Sequence, residues 1–402
     1  MITHTRSDST TFLRRWGFKM RILLTVEFYK PDIGGAQKVV EDIAVGLSRK
    51  GHNVTVATTY IREREFSELD GVKIEQFNIK GNLARGISGE NREVERYRNL
   101  LTNGGFDLIF NYAAQSWPTD LAFSVLDKIT ASKILAPVGY SKLTSSEYSK
   151  YFNELPKYLA RYDAIVYHSP NYRDKKFGDE HGLSEKAVII GNGALESEFG
   201  ARVGGRDIRE WLGIKQKSIL INISHHNFNK GHRFVISAFR KMRREGVALL
   251  IVGNRSGGGP IKRFAHFVLD YVPCYFSSKI HRNIHLVEGH NRELVISAYK
   301  GADIHLFGSR LECAPLVMYE SFASGAVFIT TDVGNVQDHK ECLKIVNTPD
   351  EMAKEANFLL DNPSEFNAIR EKARELWERE HTVEGLVDKY EELFESINTE
   401  RK

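Results

Sequence analysis

The stretch SRLECAPLVMYESFASG, residues 309–325, decides the fold. Pro315 lies between two glutamates, Glu312 and Glu320, and opens an apolar run of helical composition. Proline suits the first turn of a helix, where its missing N–H removes no intrahelical bond. The helix is therefore expected to start near Pro315, with Glu320 inside it and Glu312 in the loop before it. On one continuous helix the two acids would stand about 12 Å apart and about 80° round the axis. At that separation they share neither a proton nor a metal, but they can serve the two ends of an elongated ligand laid across the helix start. Free amides of the first turn favour an anionic group between them. The plain alternative is two solvated acids on a helix face, the ordinary place for charged side chains. Residues 327–335, VFITTDVGN, then read as a buried strand running into a Gly-Asn turn, and the apolar run 303–307 supplies the strand that feeds the stretch.

Working outward, the same alternation fills the second half of the chain. Strands are expected at 219–223, 248–252, 283–287, 303–307 and 327–330. Helices are expected over FVISAFRKM (234–242), 293–300, 350–360, 363–379 and 383–397, the last amphipathic through Leu386, Tyr390, Leu393 and Phe394. The first half repeats the pattern with about seven strands: 21–26, 53–58, 72–79, 106–110, 134–138, 164–167 and 187–190. Helices are expected from the Gly34-Gly35 turn to Gly51 and over 119–128, 145–161 and 171–181. Strands alternating with helices imply parallel sheets. The fold class is α/β, two Rossmann-like doubly wound domains facing a cleft. The expected division is a disordered tail 1–19, an N-terminal domain 20–200, a C-terminal domain 201–380, and a terminal helix 381–402 that packs back on the first domain. Ligands in such sheets bind at the carboxyl ends of the strands, and a cleft between two domains is the default site.

Composition narrows the function. A net charge of +4 over 402 residues gives no ground for a nucleic-acid partner. Cys274, Cys313 and Cys342 have no disulfide or zinc spacing and suit a reducing compartment. No apolar run reaches 18 residues, and residues 1–19 lack the apolar core of a signal peptide. Gly34-Gly35 is not a GxGxxG, and Thr58 and Thr59 stand where an adenosine ribose would need an acid, so no dinucleotide fingerprint is present. Two segments invite a partner. Residues 82–105 carry Arg85, Arg92, Arg96 and Arg98, and residues 261–279 contain FAHFVLDYVPCYF. The first reads as a solvated loop and helix, or as a face for anionic lipid or a phosphorylated acceptor. The second reads as a helix packed on the sheet and broken at Pro273, or as an interfacial lipid contact. The expected location is cytoplasmic, peripheral on the inner face of the cell membrane.

Four features together resemble the retaining glycosyltransferases of family 4, which have the GT-B fold: IGGAQKVVEDIAVGLSRKGHNVTV, IIGNGALESEF, the NKGH loop with its helix from Asn229, and ECAPLVMYESFASGAVFITTDVGN. They span most of the chain, about 21–338. The resemblance implies a nucleoside diphosphate sugar as ligand. Glu320 would accept the ribose hydroxyls, and Glu312 would lie near the donor sugar. Backbone amides at Ala314, Leu316 and Val317 would hold the diphosphate and sugar. Lys230 would neutralise the leaving diphosphate, and Gly35 would approach the phosphate from across the cleft. Cleaving the sugar–phosphate bond builds negative charge, which a lysine and oriented amides stabilise where it develops. No DxD-type pair stands at a strand end, so no metal and no other cofactor is expected.

Two departures from the family stand out. His225 occupies the place of a usual arginine five residues before the lysine, where a diphosphate would favour its charged form, so the catalytic set is Lys230, Glu312 and His225. Gly139 and Tyr140, in APVGYS, stand where many members carry a histidine. The implied activity is transfer of a hexose from a UDP- or GDP-linked donor to a glycan or lipid-linked acceptor, with retention, in polysaccharide or lipopolysaccharide synthesis. Fold does not fix reaction, so a nucleotide-sugar epimerase and a non-catalytic nucleotide-sugar-binding subunit remain the alternatives.

Overall fold

The computed structural model describes residues 19–400 except 33, 201–202, 256–258 and 290. The expected tail lies outside the described residues apart from Lys19. Two sheets organise the rest. The N-terminal sheet has eight strands in the order Ala187–Ile189, Ala164–Tyr167, Ser132–Ala136, Leu108–Tyr112, Arg21–Thr25, Asn53–Thr59, Val72–Phe77 and Glu68–Leu69. All pair in parallel except the two-residue edge strand Glu68–Leu69. The C-terminal sheet is wholly parallel, in the order Ile284–Val287, Val247–Val252, Ser218–Ile223, Ile304–Phe307, Val327–Thr331 and Leu343–Val346. Central strands such as VALLIV are buried throughout, as parallel strands covered on both faces must be.

Each sheet has one point where successive strands depart in opposite directions. In the N-terminal sheet it lies between Arg21–Thr25 and Leu108–Tyr112, and in the C-terminal sheet between Ser218–Ile223 and Ile304–Phe307. Side-chain hydrogen bonds supplement the ladders there. Asn111 Nδ2 donates to Thr25 Oγ1 at 2.8 Å, and Asn222 Nδ2 donates to the Leu306 carbonyl at 2.7 Å. His305 accepts from the Ile223 amide at 3.2 Å, and burial pushes its pKa down to about 3, so the ring stays neutral.

Several expectations shift. The run 106–110 begins its strand two residues later, at Leu108, because Asp107 is spent on capping: its Oδ2 accepts from the Arg21 amide at 2.7 Å. The hairpin Ile79–Asn82 with Gly86–Gly89 and the edge strand Leu343–Val346 were not legible as strands. Three of the four arginines named in 82–105 are paired with acids. Arg85 pairs with Glu147, Arg96 with Glu93 and Glu75, and Arg98 with Glu95. Pro273 does not break its helix. The chain stays helical from Pro260–His266 through a π-turn at Phe267–Tyr271 into Val272–Ile280, and widening the turn before a proline makes room for a ring that would otherwise meet the preceding carbonyl.

The last helix, Val383–Glu400, leaves the C-terminal domain and packs on Gly35–Arg49. Val387, Leu386, Tyr390 and Phe394 join the apolar layer of Leu24, Val40, Leu47 and Phe110. The contact is close enough that a Cβ on Gly46 would lie 2.5 Å from Val387 Cγ2.

Candidate functional site

The C-terminal switch point projects two loops into one place. One follows Ser218–Ile223 and ends in the short turn Phe228–Lys230, and the other follows Ile304–Phe307 and holds Glu312. They interlock through Gly231, at φ +68°, whose missing Cβ would sit 1.8 Å from the Gly308 carbonyl oxygen. The Asn229 carbonyl accepts from the Arg310 amide at 2.8 Å and from Ser309 Oγ at 3.1 Å. Lys230 Nζ then meets Glu312 Oε1 at 2.7 Å, and Ser309 Oγ donates to the same oxygen at 2.7 Å.

The helix after this loop is Leu316–Ser324, with Pro315 as its N-cap rather than its first residue, and Gly325 at φ +82° ends it. Met318, Tyr319, Phe322 and Ala323 bury its inner face. No acceptor in the described chain takes the amides of Ala314, Leu316 or Val317, as expected for a first helical turn. In the sequence these donors lie between Glu312 and Glu320.

Glu320 has a partner that sequence reading missed. Arg292 Nη2 reaches Glu320 Oε1 at 2.6 Å, and its Nε lies 3.1 Å from Glu198 Oε1. Burial opposes the guanidinium's charge, but Glu320 and Glu198 outweigh it and raise its pKa. Asn291 positions it by capping Arg292–Gly301 through the amides of Glu293 and Leu294. An Asn-Arg-Glu at a helix start was the available signal, but nothing in it named the distant acids.

The N-terminal domain closes on the same loop. Tyr172 OH donates to the Glu312 carbonyl, Arg173 Nη2 donates to Tyr172 OH at 2.6 Å, and Asn192 Nδ2 donates to the Ala314 carbonyl at 2.9 Å. Gly139, at φ +74°, passes so near that a Cβ would lie 3.1 Å from Cys313 Sγ. Asp338 is bound by Ser169 Oγ and by Asn171 Nδ2, at 2.5 and 2.8 Å. Arg173 is thus a second cation at the cleft that sequence reading did not name. Tyr140 is fully buried against Phe152 and Phe177, so its hydroxyl does not serve the cleft. Gly35 opens its helix beside open space, where an added Cβ would touch nothing within 4 Å. The same helix faces Leu316 across a small cavity shared with Gly191 and Asn192. In it Asp42 pairs with Lys38 at 2.5 Å, and burial, opposed by Lys38, lifts its carboxyl to about 6. Glu27, at the carboxyl end of Arg21–Thr25, is lifted to about 7 by burial, with Asp120 adding. Sequence reading passed over it too.

His225 is half-buried on the Lys230 loop. Its neighbour His226 is buried, and Asp270 Oδ2 lies 3.2 Å from His226 Nδ1 and 2.9 Å from His232 Nδ1. Burial opposes ionisation of Asp270, yet the two histidines hold it down at about 2. Among the described residues, His226, His232 and Cys274 could also gather round a metal ion, their donor atoms lying within 4.8 Å of one another. Asp270 Oδ2 lies within 3.2 Å of one nitrogen on each ring and so ties the Lys230 loop to the helical run that carries it, while His226 Nε2 is buried without a hydrogen-bond partner among the described residues.

Two tandem parallel-sheet domains are shared with solved structures. HepE from Anabaena, in complex with UDP, superposes with a TM-score of 0.75 over 94% of this chain and 100% of its own, at 15% identity. Sucrose-phosphate synthase from Thermosynechococcus elongatus gives 0.74 over 95% and 100%, also at 15% identity. The fold is GT-B. Residues 206–376 match the family model Glycosyl transferases group 1, and Lys230, Arg292, Glu312 and Glu320 lie inside the matched span. Over 342 residues the chain is 21% identical to the uncharacterized glycosyltransferase MJ1607 of Methanocaldococcus jannaschii, covering 79% of this chain and 82% of that protein. None of the described helices is long and apolar enough to cross a membrane.

Proposed function

We propose that the chain transfers a hexose from a nucleoside diphosphate sugar to a hydroxyl of a glycan or lipid-linked acceptor, with retention at the anomeric carbon. The observation that carries this is the Lys230–Glu312 contact at 2.7 Å, set beside three unpaired amides at a helix start and one residue run away from Glu320. An anion bridging the amides would draw Lys230 toward itself and release Glu312 for a sugar hydroxyl. Glu320, held by Arg292 at 2.6 Å, accepts from the ribose. HepE has been solved with UDP and with UDP-glucose, which supports the ligand class.

In the step itself the bond from the anomeric carbon to the β-phosphate oxygen breaks, and the acceptor oxygen bonds to that carbon on the same face. The acceptor proton passes to the departing phosphate oxygen, so no protein base is assigned. Lys230 and the amides of Ala314, Leu316 and Val317 stabilise the charge that gathers on the diphosphate, with His225 as the second cation of that loop. Gly35 supplies close backbone approach from the other domain. These cations and amides need no divalent ion. Cys274, Cys313 and Cys342 are free thiols, which supports a reducing, cytoplasmic setting.

The test is a thermal-shift screen of nucleoside diphosphates and their sugars in EDTA, followed by an assay of diphosphate release with the sugar that binds. Ligands of the native state raise its melting temperature. Absence of any shift across UDP, GDP and their hexoses would overturn the reading. An altered sugar produced without an acceptor would point to the epimerase instead.

A further inference from the structure

Among the described residues fifteen large apolar side chains are exposed, and eight of them lie between Ile261 and Ile280. Ile261, Phe264, Val268, Phe276 and Ile280 are exposed at spacings that follow one side of the helical run 260–280, with the π-turn taking up the extra residue. The opposite side holds Asp270 and Cys274, both buried. Soluble monomers rarely leave so much contiguous apolar surface uncovered.

The exposed charges within the run itself have one sign, and beside it Arg255 lies 3.4 Å from the exposed Glu288. Between 259 and 283 the sole acid is Asp270, and it is turned inward to His226 and His232. Arg263, Lys279 and Arg282 are exposed. Lys279 Nζ lies 5.3 Å from the Tyr275 ring centre, and Arg255 stands 4.8 Å from that of Tyr271. A helix with aromatic and aliphatic groups on one face, rimmed by cations and without an exposed acid, fits the boundary between acyl chains and anionic headgroups. No described helix is long and apolar enough to cross a membrane, and this run, about 31 Å along its axis, carries Arg263, Asp270 and Lys279 within it, so it is placed flat on the surface.

We propose that this face of residues 260–280 docks the protein on an anionic lipid bilayer. The surface reaches the site. Phe228, two residues before Lys230, is exposed, with the Arg310 guanidinium 4.5 Å from its ring centre. Its amide faces His266 Nδ1 at 3.5 Å. Docking here sets the mouth of the cleft at the lipid surface. The inference stands apart from the transfer reaction, because it rests on this face alone.

The experiment is co-sedimentation of the full chain with sucrose-loaded vesicles, of phosphatidylcholine alone or mixed with phosphatidylglycerol. The wild type is expected to pellet with the mixed vesicles and to stay in solution with phosphatidylcholine. Phe264→Asp/Phe276→Asp and, separately, Arg263→Glu/Lys279→Glu should each lower the bound-to-free ratio by about tenfold or more. All four positions are exposed, so unchanged melting curves and unchanged nucleotide-induced shifts accompany the loss. Wild-type protein that ignores the mixed vesicles overturns the proposal, as does binding that neither double variant weakens. A wild-type dimer that Phe264→Asp/Phe276→Asp dissociates without vesicles also overturns it, and assigns the face to a second copy of the chain.

Discussion

Replacing Lys230 by methionine keeps the aliphatic stem and removes the ammonium. In the unliganded chain that ammonium sits 2.7 Å from Glu312 Oε1, with side-chain exposures of 27% and 13%. A pair so placed contributes about 0–1 kcal/mol to folding, which for a domain of this size shifts Tm by no more than about 2–4 °C. Catalysis should suffer far more. Loss of one donor aimed at developing charge costs about 2.7–4 kcal/mol, a fall of about 10²–10³ in kcat. Glu312, left without its partner, would add repulsion toward the diphosphate, so Lys230→Met/Glu312→Gln should recover activity relative to the single variant. A coupling of about 1 kcal/mol is a factor of about five. The assay is diphosphate release at saturating donor, with melting curves on every variant. If Lys230→Met keeps kcat within a factor of about three, it has lost less than about 1 kcal/mol, and the role assigned to the lysine is wrong.

Arg292→Met should raise the donor KM by about tenfold, one lost charge-assisted contact to Glu320, with kcat nearly unchanged; Glu320→Ala should do the same, and a kcat effect without a KM effect would contradict the ribose assignment. Gly231→Ala demands a left-handed φ and drives a Cβ to within 1.8 Å of the Gly308 oxygen, so a loss of at least about 2 kcal/mol by urea unfolding is expected; a neutral result would show that the two loops are not locked. Glu27 makes a pH prediction. Its carboxyl is raised from 4.5 to about 7, so between those values the folded chain keeps a proton that the unfolded chain releases, and stability falls as pH rises through that window. Glu27→Gln should therefore be more stable than wild type at pH 8 by about 1–3 kcal/mol, discounted for partial exposure, and equal to it below about pH 4.5. A difference that does not vary with pH would refute the shift.

The alternation of buried runs and helices was legible because strands such as VALLIV and AIVY carry their burial in composition. The edge strand Leu343–Val346 was not, since only its first and last residues are buried. Glu312, Lys230 and the helix start were found because proline, glycine and a lysine loop are local signals. Arg292, Arg173 and Glu27 were missed for the opposite reason. Each acquires its meaning from partners 28 residues or more away, or from burial that no local pattern announces: Arg292 from Glu320, Arg173 through Tyr172 from Glu312, and Glu27 from Asp120. Tyr140 stands where many family members carry a histidine, but its side chain packs into the N-terminal core, which position in a motif does not reveal.

The chain passes between its two halves twice, and the passages touch. Ala194 and Thr382 form a parallel bridge, with Ala194 donating to the His381 carbonyl at 3.0 Å and accepting from Val383 at 3.1 Å, while Trp377 Nε1 donates to the same Ala194 carbonyl at 3.1 Å. Two crossings fastened side by side act as one pivot. They leave rotation about a single axis soft and resist shear and twist, so the half carrying Gly35 can swing toward Lys230 and Glu320 but cannot slide past them. Interdomain distances measured by paired fluorophores should then vary together along one coordinate, whichever positions are labelled. Independent variation at two label pairs would show that the pivot is not single.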